Sequence, residues 1–373
     1  MSQETTDWMQ QALIRAHAVR HKTPPNPAVG CLLVDAKGLE IGSGSTQAVG
    51  GPHAEIMALR DAAARGNSVI GATAYVTLEP CSHHGRTGPC CDALIAAGIK
   101  RVVASIADPN PLVSGQGFAR LRAAGVEVEI GPGSEESREL NIGFFSRMIR
   151  KTPWVRMKIA ASLDGKTALD NGVSQWITAE PARADGHVWR ARACAVLTGI
   201  GTVLEDNPRL DVRLVETPRQ PHLVVVDSRL QTPLDAHLFI AGRALFIYAA
   251  AQNDAKKVAL EALGATVIYM PGQTVQTRDK VDLKAMLVDL ARREINELHV
   301  EAGTKLNGSF IREGLVDEFL VYLAPKLIGL GRDMAHFGPL TDLAAAVPLA
   351  FKSTQLIGPD LRVIARIPGR DQF

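Results

Sequence analysis

The sequence predicts an α/β protein built as two consecutive units, and three observations carry that expectation. Runs with strand character alternate with runs of helical periodicity along the chain, the pattern of a mostly parallel sheet covered on both faces. Its 373 residues suit two domains, at about 150 residues each. A polar, glycine-containing stretch from Gly131 to Ser137 leads into a helix-like run ending near Lys151-Thr152-Pro153, and beyond it the same alternation restarts. The expected domains are therefore 1–150 and 151–373.

In the first half, Trp8, Met9, Ala12, Leu13, Ala16 and Val19 recur at helical spacing, and Ala28 to Val34 reads as a buried strand. A second strand is expected over Leu39 to Ser43, then a helix from about His53 to Arg65 and a strand over Thr73 to Leu78. Pro89 to Ala97 reads as a short helix closed by Gly98, followed by a strand over Arg101 to Ile106. A helix over Gln116 to Ala124 stops at Gly125, before the strand Val126 to Ile130.

In the second half, strands are expected near Val155 to Ala160, Ala195 to Thr198, His222 to Val226, Leu245 to Tyr248, Thr266 to Met270, Glu297 to Glu301 and Glu318 to Ala324. Helices are expected over Pro181 to Cys194, Ala255 to Leu263, Leu283 to Arg293 and Leu306 to Glu313. Residues Ser353 to Ile367 resemble a closing hairpin around Gly358-Pro359-Asp360. There is no internal repeat and no low-complexity segment.

Composition narrows the class. Hydrophobic content of 46% and charged content of 21% allow a sizeable core and exclude wholesale disorder. Net charge is +2, and the densest basic stretch, Arg147 to Lys151, reads as a solvated linker. No nucleic-acid partner is expected, because phosphate-backbone binding needs a focused cationic surface. Met1 to Asp7 is polar and acidic, unlike a targeting peptide, and no apolar stretch approaches a membrane span. The expectation is a soluble, cytoplasmic protein with no membrane partner. Five cysteines, Cys31, Cys81, Cys90, Cys91 and Cys194, then argue for metal or catalytic use over a disulfide framework.

The sharpest chemistry lies in His53-Ala54-Glu55 and in Pro80-Cys81 followed, after eight residues, by Cys90. Hydrolytic deamination needs a nucleophile made from water at neutral pH. A zinc ion on three protein ligands with one open position provides it, by lowering the pKa of bound water towards about 7. A carboxylate that is not a ligand must carry protons to the leaving amine. The signature of zinc deaminases is H-x-E followed by P-C-x-x-C, with that glutamate as the shuttle. Cys90 falls at an expected helix start, where the macrodipole favours the thiolate that binds zinc.

Here eight residues, Ser82 to Pro89, replace the usual two, so a looped excursion through Gly85 and Gly88 must bring Cys90 back. His83, His84 and Cys91 are rival ligands by residue type. His83 and His84 are read as lining a substrate mouth or facing solvent. Cys91 is read as helix core, because adjacent helix residues point in different directions.

The second half says less on its own. Gly199-Ile200-Gly201 follows an expected strand, but Leu204 breaks the dinucleotide-binding G-x-G-x-x-G pattern. Glu301 to Gly308 runs from a strand through a glycine turn into a helix, whose exposed N–H groups could hold a phosphate or merely close a structural turn. Singly, Arg190 and Arg213 read as surface charges, Trp176 as core, and Lys158 as a supporting or surface residue.

The run Pro80-Cys81-Ser82-His83-His84-Gly85-Arg86-Thr87-Gly88-Pro89-Cys90 closely resembles the motif of the RibD family of riboflavin-biosynthesis deaminases. So do Asn26-Pro27-Ala28-Val29-Gly30 and the spacing to His53-Ala54-Glu55. Family members usually carry proline where Gly88 stands, a change of loop stiffness more than of chemistry. Further on, Lys158 to Ala168, Ser174 to Thr178, Thr202 to Leu210, Glu301 to Gly308 and Leu315 to Glu318 follow in the order of the family's reductase half. Ala302 stands where many relatives have glycine. The resemblance runs from about Trp8 to Arg366.

That resemblance implies a cytidine-deaminase-like three-layer domain followed by a dihydrofolate-reductase-like α/β domain. It implies His53, Cys81 and Cys90 as ligands of one zinc ion per chain and Glu55 as the proton shuttle. Asn26 would contact the pyrimidine, although it reads equally as a turn asparagine before proline. Ala160, Trp176, Thr202, Asp206, Ser228, Gly303, Thr304, Lys305, Leu306, Asn307, Gly308 and Ser309 would line an NADPH site. Ser174, Arg190, Leu210, Arg213 and Glu301 would hold a ribose phosphate substrate. The implied activity is deamination of 2,5-diamino-6-(5-phosphoribosylamino)pyrimidin-4-one, then reduction of its ribosyl group to ribityl, in a homo-oligomer. Two other readings stay open: a deaminase with a non-catalytic C-terminal binding or oligomerisation module, and a nucleic-acid deaminase, which the near-neutral charge opposes.

Overall fold

The structure, a computed structural model, describes residues 7–82, 88–111 and 113–373. It divides into two compact units, Met1–Arg150 and Lys151–Phe373. No helix of the described residues is long and apolar enough to cross a membrane.

Unit 1 runs α1 (Trp8–Val19), β1 (Gly30–Val34), β2 (Glu40–Ser45), α2 (Ala54–Ala64), β3 (Thr73–Val76), α3 (Cys90–Ala96), β4 (Arg101–Ala104), α4 (Gln116–Ala123), β5 (Glu127–Ile130), α5 (Ser134–Leu140) and α6 (Ile142–Arg150). Its sheet has the order β2-β1-β3-β4-β5. Only β3-β4 and β4-β5 are parallel; β1 pairs antiparallel with both β2 and β3. The expected mostly parallel sheet is therefore half antiparallel here. The link from β1 to β2 is a tight turn closed by the Asp35 N–H on Leu39 O (3.0 Å), far too short for a parallel crossover.

Helix packing in this unit depends on small residues. Ala54, Ala58 and Ala62 of α2 are fully buried. A Cβ on Gly42 would lie 2.6 Å from Ala58 O, and one on Gly44 would lie 2.4 Å from Ala54 O. This contact fixes the depth at which α2 enters the sheet. The helical run before residue 151 begins inside the stretch expected to be a polar linker and is split into α5 and α6 by Asn141. The Asn141 amide accepts from Ala28 N–H (2.8 Å) and donates to Ala28 O (3.0 Å), pairing with the chain just before β1 as a neighbouring strand would.

Unit 2 runs β6 (Trp154–Ser162), β7 (Lys166–Leu169), α7 (Glu180–Arg192), β8 (Ala195–Gly199), α8 (Ile200–Asp206), β9 (His222–Val226), β10 (Leu245–Ala249), α9 (Asp254–Ala262), β11 (Ala265–Tyr269), α10 (Leu283–Arg292), β12 (Glu297–Val300), α11 (Thr304–Arg312), β13 (Glu318–Ala324), β14 (Gly331–Asp333), β15 (Ala350–Ile357) and β16 (Asp360–Arg366). The nine-stranded sheet has the order β11-β10-β9-β8-β12-β6-β13-β16-β15. It is parallel as far as β13 and ends in the antiparallel hairpin β15-β16. Helix α8 and the β7-β14 ribbon were not anticipated, and α11 starts at Thr304, two residues before the expected Leu306.

The two faces of β6 differ. Val155, Met157, Ile159 and Ala161 pack with Leu283, Met286, Leu287, Leu290 and Phe310 in the main apolar core. Arg156 and Lys158, between them in sequence, point to the other face by strand alternation. Arg156 is 1% exposed and binds both Glu297 (2.8 Å) and Glu318. Arg192 of α7 also reaches Glu297 (2.9 Å), and the Trp189 ring lies 4.5 Å from the Arg156 guanidinium. Burial alone would raise the Glu297 carboxyl, but Arg192 and Arg156 outweigh it and hold it down to about 2. A buried network of this kind is costly to break, because removing one partner strands a charge, at about 3–5 kcal/mol.

Candidate functional site

In unit 1 the chemistry gathers where β3 ends and α2 and α3 begin. His53 is the N-cap of α2, in extended backbone, and Glu55 is that helix's second residue. Cys81 follows β3 after Glu79-Pro80, and Cys90 opens α3. His53 Nδ1 lies 3.5 Å from Cys81 Sγ and 3.4 Å from Cys90 Sγ. The three donor atoms fall within 4.8 Å of one another, a grouping found nowhere else among the described residues. A tetrahedral zinc, at about 2.3 Å from sulfur and about 2.0–2.1 Å from nitrogen, sets its sulfur and nitrogen donors about 3.5 Å apart. The geometry and the Cys₂His donor chemistry fit zinc.

Electrostatics agree with that fit. Cys81 Sγ accepts the N–H of Cys90, at the positive end of α3, at 3.3 Å. Cys90 and then His53 stabilise the Cys81 thiolate against the opposing effect of burial, drawing its pKa down to about 4. Without a metal, Cys90 keeps its proton, held up by Cys81, by burial and by Glu55. Burial, then the negative charge of Cys81, pushes the Glu55 carboxyl up to about 7. A carboxyl poised near neutrality is suited to passing protons.

Cys91, a rival by residue type, is turned away: its thiol donates to Cys81 O at 3.1 Å, and burial pushes it up to about 11. The Asn26 N–H closes a turn on Thr23 O (2.9 Å). His83, His84 and the looped excursion through Gly85, Arg86 and Thr87 lie outside the described residues.

Glu79 was not anticipated. It is 5% exposed, and its carboxylate accepts the N–H groups of Asp108 (3.0 Å), Gly115 (2.9 Å) and Gly117 (2.8 Å). It thereby ties the loop after β4 to the segment carrying Cys81. The sequence signal was its place in Glu-Pro-Cys, beside a ligand.

In unit 2 a charged cluster forms between α7, β6, β12 and the segment after α8. Arg190 of α7 grips Glu301, with Nη2 donating to Oε2 at 2.8 Å and Nε to Oε1. Lys158 Nζ (3.8 Å) and His299 Nε2 (3.4 Å) face the same carboxylate. Burial works against ionisation of Glu301, but Arg190 and Lys158 hold it well below the usual carboxylate range. Arg190 also donates to Asp211 O (3.1 Å), and the Asp211 carboxylate binds Arg213 (2.8 Å) and Arg209 (2.9 Å). Three of the expected residues, Arg190, Arg213 and Glu301, thus meet in one cluster. Lys158, read from the sequence as a supporting or surface residue, takes the supporting place beside Glu301, and His187, His299 and Asp211 join the cluster without having been anticipated.

The other expected residues are placed as follows. Gly303 is the exposed N-cap of α11, whose first turn has no side-chain cap. Thr202 lies beside it, its hydroxyl 3.9 Å from where a Gly303 Cβ would be. Thr304 and Lys305 continue this turn, and its uncapped N–H groups suit the phosphate of a nicotinamide cofactor. Ala160 lies on the Lys158 face of β6, and Asp206 ends α8. Trp176 is 60% exposed, with the Arg183 guanidinium 4.5 Å from its ring, so it is not core. Ser174 is half-buried two residues before it. Ser228 Oγ accepts Val281 N–H at 3.3 Å, and Ser309 Oγ donates to Lys305 O at 3.2 Å.

Other candidates turn inward. Leu210 packs in the apolar core with Val196 and Leu223, and Leu306 packs against the main core. Asn307 donates to Met334 O (3.0 Å), and a Cβ on Gly308 would fall 1.8 Å from His336 O. Leu210, Leu306 and Gly308 have only backbone polar groups to offer a ligand, while the buried Asn307 Oδ1 has no hydrogen-bond partner among the described residues.

Comparison with known proteins agrees with this division. Residues 2–106 match the cytidine and deoxycytidylate deaminase zinc-binding region, and residues 153–363 match the RibD C-terminal domain. The chain is 43% identical over 368 residues to the riboflavin biosynthesis protein RibD of Escherichia coli (strain K12), covering 95% of this chain and 97% of that protein. It is 40% identical over 355 residues to that of Aquifex aeolicus (strain VF5), covering 95% and 96%. Among solved structures, Acinetobacter baumannii RibD superposes with a TM-score of 0.87 at 38% identity, covering 96% of this chain and 97% of that one. A diaminohydroxyphosphoribosylaminopyrimidine deaminase/5-amino-6-(5-phosphoribosylamino)uracil reductase from Thermotoga maritima gives 0.84 at 31% identity, again covering 96% and 97%.

Proposed function

Since the chain belongs to the RibD family, bifunctional deaminase–reductases of riboflavin biosynthesis with a zinc-binding deaminase region, we propose how its residues divide the two reactions. Residues 1–150 carry the deamination and residues 151–373 the reduction. The substrate is the one named for the Thermotoga maritima relative, a diaminohydroxyphosphoribosylaminopyrimidine, that is 2,5-diamino-6-(5-phosphoribosylamino)pyrimidin-4-one. The observation that carries this reading is the triangle of His53, Cys81 and Cys90 beside the buried Glu55.

His53, Cys81 and Cys90 hold one zinc ion per chain. Zinc, when bound, acidifies a water molecule and so supplies the nucleophile at neutral pH. Glu55 would take a proton from the attacking water at its carboxylate and pass it to the departing 2-amino group, so that water enters, ammonia leaves and a carbonyl remains. Burial keeps Glu55 basic enough to accept the proton and acidic enough to return it.

In the second unit the uncapped start of α11, from Gly303 to Lys305, with Thr202 beside it, holds the phosphates of NADPH. NADPH, when bound, supplies the hydride that turns the ring-opened ribosyl group into ribityl. Arg190 and Arg213 bind the substrate phosphate, for which a guanidinium fork is well shaped, and Glu301 orients the sugar hydroxyls. The chain's contribution is to set the sugar carbon against the nicotinamide.

The hairpin end of the large sheet supports a homo-oligomer. Strand β15 is an exposed edge carrying Phe351 (74% exposed) and Leu356 (68%), with Leu343 and Leu330 (each 89%) in the segments before it. Edges and apolar surface of this kind are normally covered, here by a second copy. Cysteines outside the metal triangle that form no disulfide, Cys31, Cys91 and Cys194, suit the reducing cytoplasm.

Metal analysis together with stepwise turnover tests the assignment. One zinc per chain is expected, with ammonia release that needs no NADPH and NADPH consumption only once deaminated substrate is present. NADPH oxidation by the undeaminated substrate, or ammonia release from metal-free protein, would overturn it.

A further inference from the structure

We propose that His187 is a positioning residue for phosphate recognition in the reductase unit, holding the segment from Arg209 to Arg213 against α7, the helix that carries Arg190; this rests on reading Arg190 and Arg213 as the phosphate ligands. Residues 209 to 213 form no helix or strand. Irregular surface backbone usually leaves its polar groups to water, yet here four side chains hold it. Arg243 donates to Arg209 O (2.6 Å) and Leu210 O (2.8 Å). The Gln220 amide accepts from Val212 N–H (2.7 Å) and donates to Val212 O (2.9 Å). Arg190 donates to Asp211 O (3.1 Å). His187 Nδ1 accepts the N–H of Arg213 (3.2 Å).

His187 differs from the other three ties in what it joins. It stands one helical turn before Arg190 on α7 and its Nδ1 holds the backbone of Arg213, while its Nε2, 3.5 Å from Arg190 Nη1, carries the ring proton and packs beside that guanidinium without accepting from it. It is 5% exposed, so its ring is fixed by packing as well as by these contacts. The four guanidinium groups of Arg190, Arg209, Arg213 and Arg243 outnumber the carboxylates of Asp211 and Glu301 that pair with them. Such a surplus matches a phosphate monoester, provided the arginines are spaced for it.

To accept from Arg213, the imidazole must be neutral with its proton on Nε2. Protonation would remove the acceptor and add a cation facing Arg190 and Arg213, against the already paired carboxylates of Glu301 and Asp211. Burial first, then Arg190 and Arg213, lower its pKa to about 4, so it stays an acceptor at neutral pH.

The test uses the full-length protein, with its deaminase turnover as the internal check on folding. Asparagine can place an acceptor where Nδ1 is; glutamine places one nearer Nε2; leucine offers none. Reductase kinetics are measured on the deaminated phosphoribosyl substrate and on its dephosphorylated counterpart. His187→Leu and His187→Gln are expected to raise KM for the phosphorylated substrate about tenfold, as loss of one well-placed contact does. The kcat, the KM for NADPH and the KM for the dephosphorylated substrate should stay unchanged, and His187→Asn should keep most of the wild-type KM. Equal effects of Asn and Gln, or a KM that rises equally for both substrates, would overturn the positioning role. A wild-type enzyme that does not prefer the phosphorylated substrate would instead overturn the phosphate reading beneath it. Should His187→Leu fail to fold, the Asn and Gln pair decides.

Discussion

The Arg190 guanidinium holds both oxygens of the Glu301 carboxylate, joining α7 to the end of β12 across 111 positions of sequence. The pair is nearly enclosed, with side-chain exposures of 14% and 11%, and Lys158 faces the same carboxylate. A lysine at 190 would keep the charge and lose the fork that serves Glu301 and Asp211 O together. Arg190→Lys is therefore expected to lower reductase kcat/KM by about 10- to 100-fold, a loss of about 1.4–2.7 kcal/mol of transition-state binding. Deaminase turnover should stay within about twofold, because Arg190 lies in the other unit. Parallel assays of ammonia release and NADPH oxidation on one preparation decide it; equal losses in both would count against a local role.

Glu55 and the three candidate ligands should separate cleanly by metal content. Glu55→Gln keeps the shape of the side chain and leaves His53, Cys81 and Cys90 in place, so zinc should be retained. Ammonia release should fall by at least about 10²- to 10⁴-fold, the usual contribution of a positioned general acid–base. Cys90→Ser should instead lose both metal and deamination, since a thiolate at the start of α3 is exchanged for a poor zinc ligand. Inductively coupled plasma analysis beside the turnover assay distinguishes the two; zinc-free Glu55→Gln protein would make Glu55 a ligand.

How much of this was legible in the sequence depends on how local each feature is. His53-Ala54-Glu55 opens α2 and Cys90 opens α3, with Cys81 a few residues after β3, so short motifs marked them, the resemblance completed the set, and the fold only had to bring two loops together. Arg190, Arg213 and Glu301 had no such local mark. Their meeting depends on β12 being inserted between β8 and β6, a topology that short-range periodicity does not encode. His187 and Asp211 went unnoticed for the same reason. Helix α8, with seven residues, and β7 and β14, with four and three, are too short for a period to declare itself. Leu210 and Asn307 were expected at ligands on family resemblance, whereas their side chains pack inward.

Acid should weaken the second unit in two windows. His187 has its folded pKa lowered to about 4, so the unfolded chain binds its proton more readily and stability is lost as pH falls from about 6.5 to 4. Glu297 is held at about 2, so its contribution is present above its ordinary value of 4.5 and is lost as pH falls from there towards 2. For this buried carboxylate the loss is on the order of 3 kcal/mol. Urea unfolding followed by tryptophan fluorescence, which three of the four tryptophans report from the second unit, should show midpoints that drop in both windows. His187→Asn should make the upper one shallower, the remainder belonging to His222 and His299, whose pKa values burial also lowers. A midpoint unchanged between pH 7 and 4.5 would show that His187 is not held neutral.

The close contact between β2 and α2 gives a prediction remote from any ligand. Gly44 is in strand β2, and a Cβ there would meet Ala54 O and Ala58 N at 2.4 Å each, both backbone atoms of a buried helix. Since backbone cannot swing aside, Gly44→Ala must push the start of α2 outward, and that start carries His53 and Glu55. Overpacking of this sort costs about 1–3 kcal/mol, which a folded unit can survive. The metal triangle is less tolerant, because its donors are spaced within a few tenths of an ångström of what zinc requires. Gly44→Ala is expected to weaken zinc retention against a chelator and to lower deamination at least tenfold, by about 1.4 kcal/mol or more. NADPH oxidation with deaminated substrate should be unaffected. The contrast is Gly38→Ala: that glycine, in the turn between β1 and β2 with φ +78°, has nothing within 4 Å of its Cβ position. It should cost stability through backbone strain while leaving zinc affinity unchanged. If Gly38→Ala releases zinc as readily as Gly44→Ala, general loosening of the unit, and not displacement of α2, is the cause.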